Sequence, residues 1–211
     1  MNIFESLAKI NQNRPILIAG QTASGKSHFA FEIAEKIGGT IINADAIQVF
    51  NNWRILTARP SVEDEAKIKH KLYGHVYGDT DYSVGTWIKD IKEILPNYSK
   101  PIIVGGTGLY FSALTEGLVD IPEIPKTIRL EAKSRISENG LESLAKEIDK
   151  ETALNIDLNN PRRVQRAWEV LMSTGRGLNS WHNEKPKPIL NIKQCKAILI
   201  DGEVSSLNAR I

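Results

Sequence analysis

Apolar residues cluster in short runs separated by longer amphipathic stretches. "PILIAG" (Pro15–Gly20) is a compact apolar run ending on glycine, and it reads as a buried strand. "SHFAFEIAEKIGG" follows with helical spacing: Phe29, Ile33 and Ile37 recur on one face, and Gly38 supplies a stop. "TIINAD" (Thr40–Asp45) reads as a second buried strand with Asp45 at its C-terminal end. "YSVGTWIKDIKEILPNYSK" carries a helix whose apolar side is Trp87, Ile91, Ile94 and Leu95. "PIIVGGTGLY" is a third buried strand that runs through glycines into the helix "LYFSALTEGL". Strands alternating with helices predict a parallel α/β sheet covered on both faces.

The pattern then changes. Between about Lys126 and Thr174 the text is charged and helical, with no strand candidate. The spacing predicts helices over Ile128–Ser137, Gly140–Ile148 and Pro161–Ser173, the last opened by Pro161 and stopped by Gly175. "NEKPKPILN" is a flexible return, and "CKAILID" (Cys195–Asp201) reads as another buried strand. The expected organisation is a discontinuous α/β core, 1–120 with 190–211, interrupted by a helical insertion over 121–189. "SSLNARI" has the look of a helix start, with Ser205 or Ser206 as cap.

Composition narrows the function classes. In 211 residues, 41% hydrophobic and 25% charged content suits a packed globular chain. A formal charge of +2 is not that of a polybasic nucleic-acid binder, although a local basic surface stays open. Cys195 is the single cysteine, so there is no internal disulfide and no zinc spacing. No signal peptide or membrane-length apolar run is visible, and the cytoplasm is the expected compartment.

The chemistry concentrates at the strand ends. "GQTASGKS" (Gly20–Ser27) satisfies G-x-x-x-x-G-K-[ST] between a strand and a helix, the context in which such a loop cradles phosphate. Backbone N–H groups of Thr22, Ala23, Ser24, Gly25, Lys26 and Ser27 would converge on phosphate at the positive end of the helix. Lys26 would add a full charge, and the Ser27 hydroxyl a ligand for Mg²⁺. Asp45 has three possible uses: metal coordination, acceptance of a proton, or a helix cap over "AIQVFNN". "GGTG" (Gly105–Gly108) either brings backbone close to a ligand, with the Thr107 hydroxyl beside it, or makes a tight turn. Arg162, Arg163 and Arg166 form a patch without an intervening acid, suited to nucleic-acid phosphates or simply to solvent, and Arg129, Lys133 and Arg135 pose the same choice. His28 and His182 have no partner at ligand spacing and read as structural. So do Trp168 and Trp181, as core or hinge packing.

Taken in order, "GQTASGKS", "NADAIQVF", "LTARP", "YSVGTWIKDI", "VGGTGLY", "EGL" and "NNPRRVQRAWEVLMSTG" resemble the tRNA dimethylallyltransferases from about Pro15 to Ile211. The resemblance implies a P-loop NTPase-like core with an all-helical tRNA-binding insertion. It implies transfer of a dimethylallyl group from dimethylallyl diphosphate to N6 of adenine 37 beside the tRNA anticodon, with Mg²⁺ as cofactor. The loop Gly20–Ser27 then holds a diphosphate leaving group, and Asp45 becomes the general base. Thr107 lies between donor and adenine. Asp45, Ala46, Ile47 and Gln48 line the adenine site, and Arg129, Arg162, Arg163 and Arg166 touch the anticodon stem-loop. The expected species is a monomer. Two positions depart from the family: Ala46 and Phe50 stand where relatives carry Ser and Tyr, each lacking a hydroxyl. The "H-H-L-I-D" stretch of the family is altered to "KHKLYGH". Relatives also continue about a third further, through a helix beginning like "LNARI" whose arginine contacts the diphosphate, so impaired transfer is expected of this chain. The competing readings are a small-molecule P-loop kinase, an adenylate isopentenyltransferase and a non-catalytic tRNA-binding remnant.

Overall fold

A computed structural model describes residues 14–202. Five strands form one all-parallel sheet: β1 (Ile16–Gly20), β2 (Thr40–Asn43), β3 (His70–Lys71), β4 (Pro101–Gly105) and β5 (Lys196–Ile200), in the order β3-β2-β4-β1-β5. Successive side chains of a strand point to opposite faces, so each central strand feeds two cores. Ile16, Ile18, Ile41, Ile102 and Val104 pack on one face against Ala30, Ile33 and Ala34 of helix α1 (Lys26–Ile37). Leu17, Ile42 and Ile103 pack on the other against Trp87 and Ile91 of α3 (Val84–Ile94) and Tyr110 and Leu114 of α4 (Gly108–Thr115). Trp87 is fully buried, stacks on Tyr110 at 4.4 Å between ring centroids, and donates its indole N–H to the Asn43 carbonyl at 2.8 Å.

The expected C-terminal buried strand is only half buried. In β5, Ala197 and Leu199 face outwards because β5 is an edge strand, paired only with β1 among the described residues. β2 also ends at Asn43, two residues before Asp45, where the chain leaves the sheet. The short helix α2 (Val62–Lys67), capped by Ser61 Oγ accepting from the Asp64 N–H, and the two-residue β3 carried no readable period. The helix start read at Ser205 or Ser206 lies outside the described residues.

The chain divides into two compact units, Met1–Leu118 with Lys187–Ile211, and Val119–Pro186. Lys187 onward belongs to the α/β unit: the N–H groups of Ile189 and Leu190 both donate to the Leu114 carbonyl. The second unit is all helical among its described residues. It comprises α5 (Lys126–Asn139), α6 (Glu142–Ala145), α7 (Lys150–Asn155), α8 (Pro161–Thr174) and α9 (Leu178–His182). Its core gathers Ile124, Ala132, Leu144, Ile148, Val164, Ala167 and Trp168. The helix expected over Gly140–Ile148 reduces to the four residues of α6. The chain must turn again at once, because Asp149 Oδ1 caps α7 through the Thr152 N–H. Glu147 accepts from both Arg135 and the Trp168 indole at 2.8 Å each, which ties α5 to α8 and holds the Glu147 carboxyl below its ordinary range. Among the described residues no helix is long and apolar enough to cross a membrane.

Trp87→Phe removes the donor to the buried Asn43 carbonyl. We expect it to lower stability by about 1–3 kcal/mol, the cost of an unsatisfied buried acceptor, as read from chemical denaturation followed by near-UV circular dichroism.

Candidate active site

The C-terminal ends of β1, β2 and β4 converge, and each delivers one part of the site. After β1, the loop turns back on itself: Ala23 and Gly25 adopt positive φ (61° and 85°), and Ser24 N–H donates to the Gln21 carbonyl at 3.3 Å. The left-handed Gly25 starts α1, whose first turn points free N–H groups toward the loop's concave side. Lys26 is buried and donates from Nζ to the Gln21 carbonyl at 3.1 Å. Burial pushes its pKa below the ordinary lysine value, and the Asp45 carboxylate opposes that shift. Ser24 Oγ is buried with no hydrogen-bond partner, an orphaned polar atom inside a loop shaped for an anion. Ser27 is exposed in the first turn of α1. Gly20 must be a glycine, since a Cβ there would sit 2.7 Å from the Ile200 carbonyl and 2.8 Å from Ser24 Oγ.

After β2, Asp45 is fixed at both of its backbone groups by one side chain. The fully buried Asn43 accepts from Asp45 N–H at 2.9 Å and donates to the Asp45 carbonyl at 2.9 Å. Its amide also donates to the Leu72 carbonyl at 3.0 Å. The Asp45 side chain does some capping work: Oδ1 accepts from Ile47 N–H at 3.0 Å, an Asx turn over a non-helical bend rather than a helix cap. Oδ2 is turned elsewhere. A Cβ built on Gly106 would lie 3.3 Å from Asp45 Oδ2 and 3.9 Å from Lys26 Nζ, so carboxylate and ammonium flank the same bare backbone. Thr107 begins α4, and its Oγ1 accepts from Ala46 N–H at 2.9 Å while its own N–H donates to the Ala44 carbonyl at 3.3 Å. Thus Gly20, Thr22–Ser27, Asp45, Ala46 and Thr107 share one edge of the sheet. Tyr110, beneath them, is pushed up to about 12 by burial first and then by Asp45 and Asp90, and remains a neutral phenol.

Gln48 is positioned differently from a base reader. It is buried, and its amide donates to the Thr57 and Ala58 carbonyls at 2.8 and 3.0 Å, clipping the following loop to the site. Ile47 is exposed beside it. The altered "KHKLYGH" stretch places His70 Nδ1 on the Ile68 carbonyl at 2.8 Å, and His75 within 3.3 Å of both Tyr82 and Asp90. Asn43, which sequence reasoning did not single out, is the polar residue that fixes Asp45. Its signal was a buried asparagine inside an apolar strand. Arg59 was also passed over: its nearly inaccessible guanidinium donates to the Phe50 carbonyl at 3.2 Å, with Nε left without a partner.

The arginine cluster lies in the helical unit. Asn160 Oδ1 caps α8 through Arg163 N–H, and Arg162, Arg163 and Arg166 are exposed along its first turns. Arg166 is held below its ordinary pKa by desolvation, with Glu169 opposing and the positive charge of Arg129 contributing, so Arg129 and Arg166 belong to one electropositive region. Arg135 differs from them: it pairs with Glu147 at 2.8 Å and lies over the Trp168 ring at 5.3 Å, which makes it part of the unit's framework.

Comparison with known proteins places these features in context. The family model described as IPP transferase matches residues 48–211, and that described as isopentenyl transferase matches residues 14–73. The tRNA dimethylallyltransferase of Cereibacter sphaeroides strain KD131 is 51% identical over 209 residues, covering 99% of this chain and 67% of the relative. That of Ruegeria sp. strain TM1040 is 52% identical over 203 residues, covering 96% and 69%. The chain therefore spans about two thirds of the length of these curated relatives. Among solved structures, a eukaryotic dimethylallyltransferase acting on tRNA shares the fold with a TM-score of 0.73 at 24% identity, over 93% of this chain and 50% of that one. A full-length tRNA isopentenylpyrophosphate transferase from Bacillus halodurans matches with a TM-score of 0.55 at 25% identity, over 94% and 63%.

The two adjacent glycines after β4 should respond differently to a methyl group. A Cβ on Gly105 would meet the Ala44 carbonyl oxygen at 2.0 Å, so Gly105→Ala must move backbone and should destabilise the sheet by about 1–3 kcal/mol or more. A Cβ on Gly106 would meet Asp45 Oδ2 at 3.3 Å, the Gly20 carbonyl at 3.5 Å and Lys26 Nζ at 3.9 Å, none of them a severe overlap. Gly106→Ala should leave thermal stability near that of the parent and weaken binding of a diphosphate ligand, measured by calorimetry.

Proposed function

The chain belongs to the tRNA dimethylallyltransferase family, and from that premise we propose that it transfers a dimethylallyl group from dimethylallyl diphosphate to N6 of adenine 37 of tRNA, releasing diphosphate. The observation that carries the reading is the pairing of Asp45 Oδ2 and Lys26 Nζ around Gly106. One is an acceptor for a proton, the other a cation for a departing anion, and the missing Gly106 side chain leaves space beside both for the reacting atoms.

In this mechanism the diphosphate lies in the Gly20–Ser27 loop, held by amides from Thr22 to Ser27, by Ser24 Oγ and by Lys26. The adenine N6 lone pair attacks the allylic carbon, and the carbon–oxygen bond to the diphosphate breaks with its electron pair leaving on oxygen. The N6 proton passes to Asp45. Charge grows on the diphosphate oxygens as the bond breaks, and donors already aimed at that place stabilise the transition state more than the ground state. Asn43 keeps Asp45 from turning with its backbone, so the base need not be ordered during the reaction. Thr107, anchored by Ala46 N–H, directs its hydroxyl between the two substrates.

A magnesium ion fits this site as a companion of the diphosphate. Among the described residues no group of three acidic, histidine or cysteine side chains could hold an ion unaided. The exposed Ser27 hydroxyl and the substrate's own oxygens form the oxygen-rich donor set that Mg²⁺ prefers. When bound, the ion would neutralise charge on the leaving group.

The target adenine must leave the anticodon-loop stack to reach such a site. Arg129, Arg162, Arg163 and Arg166 give the helical unit a surface for RNA phosphates.

The direct test offers labelled dimethylallyl diphosphate with tRNA, with AMP, or with neither. Label in tRNA is expected. Label in AMP would mean an adenylate isopentenyltransferase, and tRNA binding with no transfer a non-catalytic remnant. Asp45→Asn should bind both substrates and slow single-turnover transfer by about 100-fold or more. A wild-type rate in that variant would remove Asp45 from the chemistry.

The arginine surface has its own signature. Replacing Arg162, Arg163 and Arg166 together with alanine should weaken tRNA binding and reduce the log–log salt slope by about 0.7–0.9 per lost phosphate contact. Affinity and slope equal to the parent's would make the cluster an ordinary solvated face.

A further inference from the structure

The turn after Gln48 presents an unusual surface. Trp53 is 52% exposed, Ile55 95% and Leu56 82%, three large apolar side chains within four residues. Single exposed apolar residues are ordinary, but a contiguous group is not. Nor is this a slack loop. Thr57 N–H and Oγ1 both donate to the Trp53 carbonyl, at 3.0 and 2.6 Å, and Arg59 N–H donates to the Arg54 carbonyl at 2.9 Å. Arg54 pairs with Glu65 at 3.0 Å and bonds the Pro60 carbonyl. From behind, Gln48 holds the Thr57 and Ala58 carbonyls. Arg59 holds the Phe50 carbonyl, wedged against Gly74 so closely that a Cβ there would overlap its guanidinium. Polar side chains thus fix the turn's inner side, while its apolar tip stays exposed. The Trp53 indole N–H donates no hydrogen bond among the described residues.

We propose that Trp53, with Ile55 and Leu56, is a stacking platform for an unpaired RNA base next to the reacting adenine. The proposal rests on the tRNA reading above and deepens it. Three observations favour an unpaired nucleotide as occupant. No acidic side chain lies within Ala46–Val62, and Glu65 beyond it is held by Arg54 and Arg59, so the turn itself presents no unpaired carboxylate to a polyanion. Gln48 links the turn directly to the segment that begins at Asp45, so its occupant lies beside the reacting base. Flipping one base out of a loop also uncovers the faces of its neighbours, and a rigid indole replaces the stacking they lose. A preordered turn makes that replacement without ordering protein at the moment of binding.

The test uses the full chain and a hairpin RNA with the anticodon-loop sequence, carrying 2-aminopurine immediately before or after the target adenine. Wild type should quench 2-aminopurine at one of the two positions. Trp53→Ala should abolish that quench and weaken hairpin binding by about tenfold, the usual scale for one base–aromatic stack. Trp53→Phe should restore most of both. Binding of a fully paired RNA and of dimethylallyl diphosphate should not change. Quench retained in Trp53→Ala, with hairpin affinity within about twofold of wild type, overturns the platform and leaves the tRNA reading standing. Absence of hairpin binding by wild type overturns both. Should Trp53→Ala disturb donor binding, the wild-type signal decides: no quench at either position overturns the proposal.

Discussion

The site depends on how closely backbone can approach backbone at the C-terminal edge of the sheet. β1 and β4 are neighbours, and both end in glycine where any side chain would collide: Gly20 with the Ile200 carbonyl, Gly105 with the Ala44 carbonyl. With no Cβ on either strand end, the loops after β1, β2 and β4 lie against one another rather than spreading. That contact brings the Lys26 ammonium and the Asp45 carboxylate together over the bare Cα of Gly106. A parallel sheet makes such an arrangement available because all of its strands end at the same edge, where the following helix begins with unsatisfied N–H groups.

Fixing the position of a charged group is as important as supplying it. Asp45 lies beyond the last residue of β2, in backbone that the sheet no longer orders. Asn43 replaces the sheet there, with its own carbonyl fixed by Trp87 and its amide shared between Asp45 and Leu72. The chain of contacts runs from the stacked Trp87–Tyr110 pair through Asn43 to Asp45. A change in the core therefore reaches Asp45 in two hydrogen bonds.

Much of this was legible in the sequence, for identifiable reasons. Ile16–Gly20 and Pro101–Gly105 are uninterrupted apolar runs ending in glycine, and only a buried strand leading into a tight loop fits that text. Lys26–Ile37 and Pro161–Thr174 have a 3.6-residue apolar period with glycine stops, and both ends fell within a residue or two. Gly140–Ile148 misled because its apolar residues, Leu141, Leu144 and Ile148, have helical spacing across two successive turns rather than one continuous helix. The cap at Asp149 was the missed signal. β5 misled because an apolar run does not reveal whether its strand is central or at an edge. In the site, glycines, lysine and aspartate announced themselves by type and place. Asn43, Arg59 and the inward turn of Gln48 did not, because their function lies in contacts to backbone carbonyls far along the chain, which no local pattern encodes.

The same geometry separates this chemistry from that of the kinases that share the loop. A P-loop kinase commonly places a carboxylate at the end of a later strand to hold the metal that bridges the transferred phosphate. Here that position is Gly105, and the Ala44 carbonyl, 2.0 Å from where its Cβ would be, leaves no side chain room to project. The carboxylate near the loop is instead Asp45, which shares with Lys26 the space beside Gly106. In the proposed reaction this carboxylate takes a proton from the attacking group rather than holding a metal over a phosphoryl group. The cradle needs only to retain its anion and accept growing charge when the donor bond breaks. In that reaction a loop that elsewhere presents a phosphoryl group for attack binds the group that leaves, beside a strand end too crowded to carry a side chain.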